Sequence, residues 1–60
     1  MLPGTMQKWE YRLENIVRLS EEEANALLQR LGQDGWELIA AAYNESGYLT
    51  QLVFKRPALA

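Results

Sequence analysis

The apolar and polar residues near the start of the chain alternate strictly, as they do in a half-buried β-strand. Trp9, Tyr11 and Leu13 lie on one side of this pattern. The charged residues on the other side are Lys8, Glu10, Arg12 and Glu14. The alternation breaks across residues 15–17, so we expect a bulge or the end of the strand there.

A helix is predicted to begin after Ser20. Ser20 and Glu23 have the spacing of a capping box, in which each side chain accepts a hydrogen bond from the other residue's backbone N–H. The acidic run 21–23 also places negative charge at the positive end of the helix dipole. Gly32 is expected to adopt the left-handed conformation that ends the helix. One apolar stripe with i, i+3, i+4, i+7 spacing follows the cap: Ala24, Leu27, Leu28 and Leu31.

Two further strands are predicted over residues 36–43 and 48–56. They are joined by residues 44–47, which we expect to form a type I turn with Gly47 at positive φ. Pro57 should end the third strand because it cannot donate to a ladder. These elements predict an α+β fold, a single βαββ domain over residues 7–57 with frayed ends at 1–6 and 58–60. Strand order 1-3-2 is preferred to 3-2-1, with the helix on one face of the three-stranded sheet.

The second and third strands carry apolar residues on both faces, whereas a sheet with one solvated face alternates apolar with polar residues. In the second strand, strict alternation assigns one face to Trp36, Leu38, Ala40 and Ala42, and the other to Ile39, Ala41 and Tyr43. In the third strand, Tyr48, Leu52 and Phe54 point one way, and Leu49 and Val53 point the other way. One short helix cannot cover both faces. We therefore expect another subunit to cover the second face. The alternative is that small alanines and tyrosine rings simply tolerate water.

Composition narrows the ways in which this chain can gain stability. A chain of 60 residues buries only about 60% of the surface that its unfolded form exposes. There is no Cys for a disulfide, and the lack of both Cys and His removes the preferred ligands of transition metals. Self-association therefore remains the favoured route to added stability. No cofactor is expected.

The charge balance and the remaining polar residues exclude several function classes. Six basic residues face eight acidic ones, for a net charge of −2, which argues against general nucleic-acid binding. The longest apolar run, residues 38–43, is far shorter than the ~20 residues of a membrane helix, and no signal peptide is indicated, so a cytoplasmic location is predicted. Without a His or Cys base, the candidate nucleophiles do not predict an enzyme; they are Thr5, Lys8, Ser20, Ser46, Thr50 and Lys55.

Three short motifs have a characteristic order and spacing. They are Lys8-Trp9-Glu10-Tyr11, then Leu31-Gly32 with Gly35-Trp36-Glu37-Leu38, and finally Phe54-Lys55-Arg56-Pro57. Together they resemble the small bacterial family known as domain of unknown function 4177, over residues 7–57. The resemblance implies the same strand, helix and hairpin layout and a bacterial cytoplasmic setting, but it supplies no activity.

These observations lead to three hypotheses about function. The first is a non-enzymatic, homo-oligomeric protein-interaction or regulatory module, with itself or another protein as partner. The second is single-stranded nucleic-acid binding by stacking on Trp9, Tyr11, Tyr43 and Tyr48, flanked by Lys8, Arg12, Lys55 and Arg56. The third is an aromatic ligand held at a subunit contact, as in dodecin-like flavin binders, which share only the βαββ order.

The candidate interface or stacking residues are Trp9, Tyr11, Trp36, Tyr43, Tyr48 and Phe54. Trp9 and Trp36 are also the largest side chains available to fill so small a core. Glu37 and Arg56 are expected to form a diagonal cross-strand ion pair that sets the register of the hairpin.

Overall fold

A computed structural model describes residues 6–58 and has one helix beside a three-stranded antiparallel sheet. The elements are β1 (Trp9–Asn15), α1 (Glu21–Gln33), β2 (Glu37–Tyr43) and β3 (Leu49–Pro57). The strand order is β1-β3-β2, so β3 is central and antiparallel to both neighbours. The predicted α+β, βαββ fold and the order 1-3-2 are confirmed. The predicted frayed ends lie outside the described residues, apart from Met6 and Ala58.

The helix begins as its sequence predicts and ends later. The Glu23 N–H donates to Ser20 Oγ at 3.1 Å, and the Ser20 N–H donates to Glu23 Oε1 at 2.9 Å. Hydrogen bonding to the Glu23 carboxylate, first from the Ser20 backbone and then from the Ser20 side chain, holds the pKa of Glu23 below its ordinary value. The capping box is confirmed.

The prediction that Gly32 ends the helix is wrong, because α1 continues through Gly32 to Gln33. The left-handed residue is Gly35, at φ 89°. The Gly35 N–H donates to the Gly32 carbonyl at 3.1 Å, and the Trp36 N–H returns to the Leu31 carbonyl at 2.9 Å. This pattern closes the helix end with a Schellman motif, which requires positive φ at the residue after the cap.

The hairpin between β2 and β3 is the predicted turn. The Gly47 N–H donates to the Asn44 carbonyl at 3.0 Å, and Gly47 has φ 85°. The side chain of Asn44 accepts from the backbone N–H of Ser46 and of Tyr48. These bonds satisfy the turn locally, so its shape does not depend on the rest of the sheet.

The core of the described residues contains four buried apolar side chains: Ile16, Leu31, Leu52 and Phe54. Leu19, Leu27, Leu28 and Trp36 pack around them while remaining partly exposed. Trp36 therefore supports the core as predicted. Trp9 does not, since it is 40% exposed and lies on the other side of the sheet.

Pairing with β3 determines which side of β1 faces the helix. Arg12 is opposite the buried Phe54, and Glu14 is opposite the buried Leu52. Because directly opposed residues point to the same face, the charged side of β1 lies on the helix side. The apolar side of β1 points away from α1.

A bulge in β2 changes the faces predicted for that strand. The register shifts between Leu38 and Ala40, which leaves Ile39 as an extra residue. Leu38 is opposite Phe54 and Ala41 is opposite Leu52, so both lie on the helix side. The prediction that Leu38 shares a face with Ala40 and Ala42 is wrong because one extra residue reverses the alternation.

Candidate functional site

The sheet face turned away from α1 carries most of the candidate interface residues. We call it the open face. Its residues, placed by the pairing register, are Trp9, Tyr11 and Leu13 from β1, Glu37, Ala40 and Ala42 from β2, and Gln51, Val53 and Lys55 from β3. No element among residues 6–58 covers this face.

A continuous apolar row crosses the open face. Leu13 is opposite Val53, and Val53 is opposite Ala40, so the row spans all three strands. Leu13 is 61% exposed, and its neighbours along β1, Tyr11 and Trp9, are 65% and 40% exposed. Clusters of exposed apolar residues of this kind are typical of contact surfaces.

Lys55 is the one basic residue of the open face. Its Nζ lies 4.1 Å from the centroid of the Trp9 ring, within the range of a cation–π interaction. Its cross-strand partners are Tyr11 on one side and Glu37 on the other. The ammonium group therefore lies over an aromatic ring, and Lys55 belongs to the cross-strand row next to the apolar row.

The helix side of β1 is polar and its charges are paired. Arg12 pairs with Glu14, and Arg56 pairs with Glu10. The guanidinium carbons of Arg56 and Arg12 lie 4.2 Å and 5.8 Å from the Trp36 ring centroid. Arg56 Nη1 also donates to the Asp34 carbonyl at 2.9 Å. Arg56 thus ties β3 to β1, to Trp36 and to the end of the helix.

The predicted Glu37–Arg56 pair is replaced by the Arg56–Glu10 pair. Glu37 is directly opposite Lys55, so its side chain belongs to the open face. Arg56 is the next residue along β3 and therefore points to the helix side. The two side chains lie on opposite faces of the sheet.

A groove separates the first half of α1 from β2 on the helix side. Its volume is about 680 Å³. The apolar side chains that line it include Ile16, Leu19, Ala24, Leu28, Leu38, Ala41, Leu49 and Leu52, with Tyr43 and Tyr48 at the hairpin end. The groove exists because α1 packs on β3, through Leu31 against Leu52 and Phe54, and leaves the helix side of β2 exposed. Sequence reasoning missed it, since no pattern predicted where α1 would lie across the sheet.

The structure divides the six candidate interface or stacking residues among three places, and the predicted platform between the first two. Trp9 and Tyr11 lie on the open face, whereas Tyr43 and Tyr48 line the groove. Trp36 and Phe54 belong to the core under the helix. The flanking basic residues are divided as well, because Lys55 is near Trp9 while Arg12 and Arg56 are ion-paired on the helix side.

Three of the described candidate nucleophiles have structural roles. Ser20 caps α1, and Thr50 Oγ1 donates to the Ala42 carbonyl at 3.2 Å. Ser46 belongs to the hairpin turn, and Thr5 lies outside the described residues. Over residues 6–58, no three Cys, His, Asp or Glu side chains are gathered as metal ligands. In the same range, no helix has the length and apolar character needed to cross a bilayer.

Comparisons of this chain with protein-family models, with curated proteins and with solved structures found no match.

Proposed function

We propose that this chain is a non-enzymatic, homo-oligomeric protein-interaction module that acts as a small regulatory or accessory subunit. The observation that carries the proposal is the orientation of the two sides of β1. Its apolar residues Trp9, Tyr11 and Leu13 face solvent on the open face, while its charged residues face the helix. A second copy packed on the open face would bury these side chains. The resemblance to domain of unknown function 4177 supports a bacterial cytoplasmic setting.

The size of the open face indicates a weak association. Three strands about 4.8 Å apart, each of about seven residues rising ~3.3 Å, project roughly 300 Å². Two such faces in contact fall below the ~1,200 Å² of accessible surface that a standard stable interface buries. We therefore expect an equilibrium that depends on protein concentration in the micromolar range, and a larger assembly would need a second contact.

Sedimentation velocity across a concentration series tests this role directly. Wild-type chain is expected to shift from monomer to dimer or higher between roughly 1 and 500 µM, the range of a weak complex. Leu13→Glu should remain monomeric because it places a charge in the apolar row. Ala26→Glu is the matched control, since it adds the same charge at an exposed position of α1 and should associate like wild type.

A wild-type chain that stays monomeric throughout the series would contradict the proposal. An equal loss of association in Leu13→Glu and Ala26→Glu would also contradict it, because the effect would then follow net charge rather than the open face.

Single-stranded nucleic-acid binding and aromatic-ligand binding have less support from this geometry. On the open face only Lys55 accompanies Trp9 and Tyr11, and general single-strand binding relies on a continuous basic groove beside its stacking residues. A direct check is a fluorescence titration with oligothymidylate at low salt. We expect no saturable quenching of tryptophan emission, and salt-sensitive quenching would favour the nucleic-acid alternative instead.

A further inference from the structure

The groove beside α1 is continuous with an unpaired strand edge. β2 pairs with β3 on one side only, and in the sheet formed by the described residues nothing pairs with its other side. All seven residues of β2 are exposed. The second register shift, between Ala42 and Tyr43, places its extra residue in β3, so β2 itself is regular from Ala40 to Tyr43. This regular stretch runs along the groove.

The backbone groups of that stretch can be assigned a direction. The Asn44 N–H donates to the Tyr48 carbonyl, and the Ala42 carbonyl accepts from Thr50 Oγ1. Both groups therefore point towards β3. Because these groups alternate in direction along a strand, the N–H and C=O of Ala41 and Tyr43 point outward, free to pair with an added strand.

An added strand would use the groove as a side-chain pocket. Successive side chains of an extended segment project to opposite faces of the sheet it joins. Every second side chain would therefore enter the groove, whose lining includes Leu28, Leu38 and Ala41. The volume of about 680 Å³ lies within the range of typical ligand pockets and would hold apolar side chains.

Charge restricts the kind of segment that fits. Among the described residues that line the groove, Glu21 is the only charged one. Glu22 follows it in the first turn of α1, whereas Glu23 lies on the other side of the helix, with Leu27 and Arg30. An acidic segment would be repelled, whereas a neutral or basic one would be tolerated or attracted.

We propose that the edge of β2 and the adjoining groove bind an extended, neutral or basic peptide segment of a partner protein, with apolar residues at alternate positions. The segment joins the sheet beside Ala41 and Tyr43 by β-augmentation. This inference rests on the proposed interaction role but uses a different surface from the open face. The module would thus self-associate through one face and bind its partner at an edge.

The probe is a random heptapeptide library displayed on phage and selected against immobilised wild-type chain. Selected peptides are expected to carry apolar residues at alternate positions and to lack Asp and Glu. A synthetic peptide of the selected sequence should bind Ala41→Glu at least ~10-fold more weakly than wild type, a difference easily resolved by titration. Ala42→Glu is the matched control: it adds the same charge one residue along, on the open face, and should keep peptide binding within about twofold of wild type.

Failure to enrich any peptide would overturn the inference, and so would a selected peptide that binds both variants equally. If no peptide is selected but Ala41→Glu converts a dimer into a monomer, a second copy occupies the edge and the inference is wrong.

The experiments distinguish failure of this inference from failure of the proposed self-association. Leu13→Glu should lose self-association and keep the peptide, while a chain that binds the peptide but never self-associates contradicts only the oligomeric role.

A backbone substitution keeps the test informative if Ala41→Glu disturbs folding. A chemically synthesised chain with N-methylated Ala41 loses one outward N–H and retains every side chain. Its circular dichroism should match that of the wild type, while its affinity for the selected peptide should fall several-fold. Unchanged affinity would show that the peptide does not join the edge of β2.

Discussion

The two edge strands of the sheet, β1 and β2, differ in their charged side chains and in their exposure to solvent. β1 places three charged side chains, Glu10, Arg12 and Glu14, on the helix side and its large apolar side chains on the open face. β2 has one charged residue, Glu37, and is exposed along its whole length. Charged residues that point inward from an edge strand discourage the addition of another strand. β1 is therefore suited to contact through its face, and β2 to contact through its edge.

Phe54 is the residue on which both edges depend, because it is opposite Arg12 in β1 and Leu38 in β2. Phe54→Ala should lower the free energy of unfolding by about 3–5 kcal/mol, enough to unfold so small a domain. Urea denaturation followed by tryptophan fluorescence measures the change. Val53→Ala is the control on the open face and should cost much less. A loss below about 1 kcal/mol for Phe54→Ala would mean that the two edges are not held through this core.

Arg56 and Lys55 are neighbours in β3 whose side chains point to opposite faces of the sheet. Substituting each in turn compares how much the contacts on each side of β1 contribute to stability. Arg56→Ala removes an ion pair, a cation–π contact and a hydrogen bond at the helix end. We expect a loss of about 1–2 kcal/mol, discounted because the ion pair is partly exposed. Lys55→Ala removes one exposed cation–π contact and should cost roughly 0.5 kcal/mol. If urea denaturation gave the same loss of unfolding free energy for both variants, the paired charges on the helix side would stabilise β1 no more than the open-face contact does.

The smallest expected effect concerns the helix cap. Since the pKa of Glu23 is lowered in the folded chain, its contribution to stability is present above its unfolded pKa and is lost as pH falls through the folded pKa. Stability should therefore decline below about pH 4, the ordinary range of a glutamate. Glu23→Gln should decline less steeply over that range, and Glu22→Gln, outside the capping box, is the control. Identical slopes for wild type and Glu23→Gln in thermal melts would exclude a role for the cap.

The elements of the fold follow from local chemistry. Ser20 and Glu23 bond within one turn of helix, and Asn44 and Gly47 form the hairpin from four consecutive residues. Interactions this short in sequence act before any tertiary contact and are visible in the residues themselves. The strand order did not follow in the same way, because a hairpin places β3 beside β2 in both 1-3-2 and 3-2-1. The preference for 1-3-2 was confirmed only by the pairing of β1 with the other edge of β3.

The candidate surfaces depended on contacts that no local pattern contains. Alternation along β1 separates an apolar side from a charged side, but it cannot say which one the helix covers. That choice came from pairing with β3. Leu52 and Phe54 pack against Leu31, and the charged side of β1 lies directly opposite them, on the same face of the sheet. The bulge at Ile39 likewise moved Ala41 to the groove, since one extra residue reverses a period of two.

The sequence by itself determined that this chain is a βαββ domain with more apolar surface than one helix can cover. Capping, turn geometry and side-chain period are properties of neighbouring residues, so they could be worked out one segment at a time. Only the tertiary structure decided where the excess lies, on the open face of the sheet and along β2. The position of α1 and the register of the strands depend on residues that are distant in sequence, because together they determine how well the few large side chains of a small core are buried.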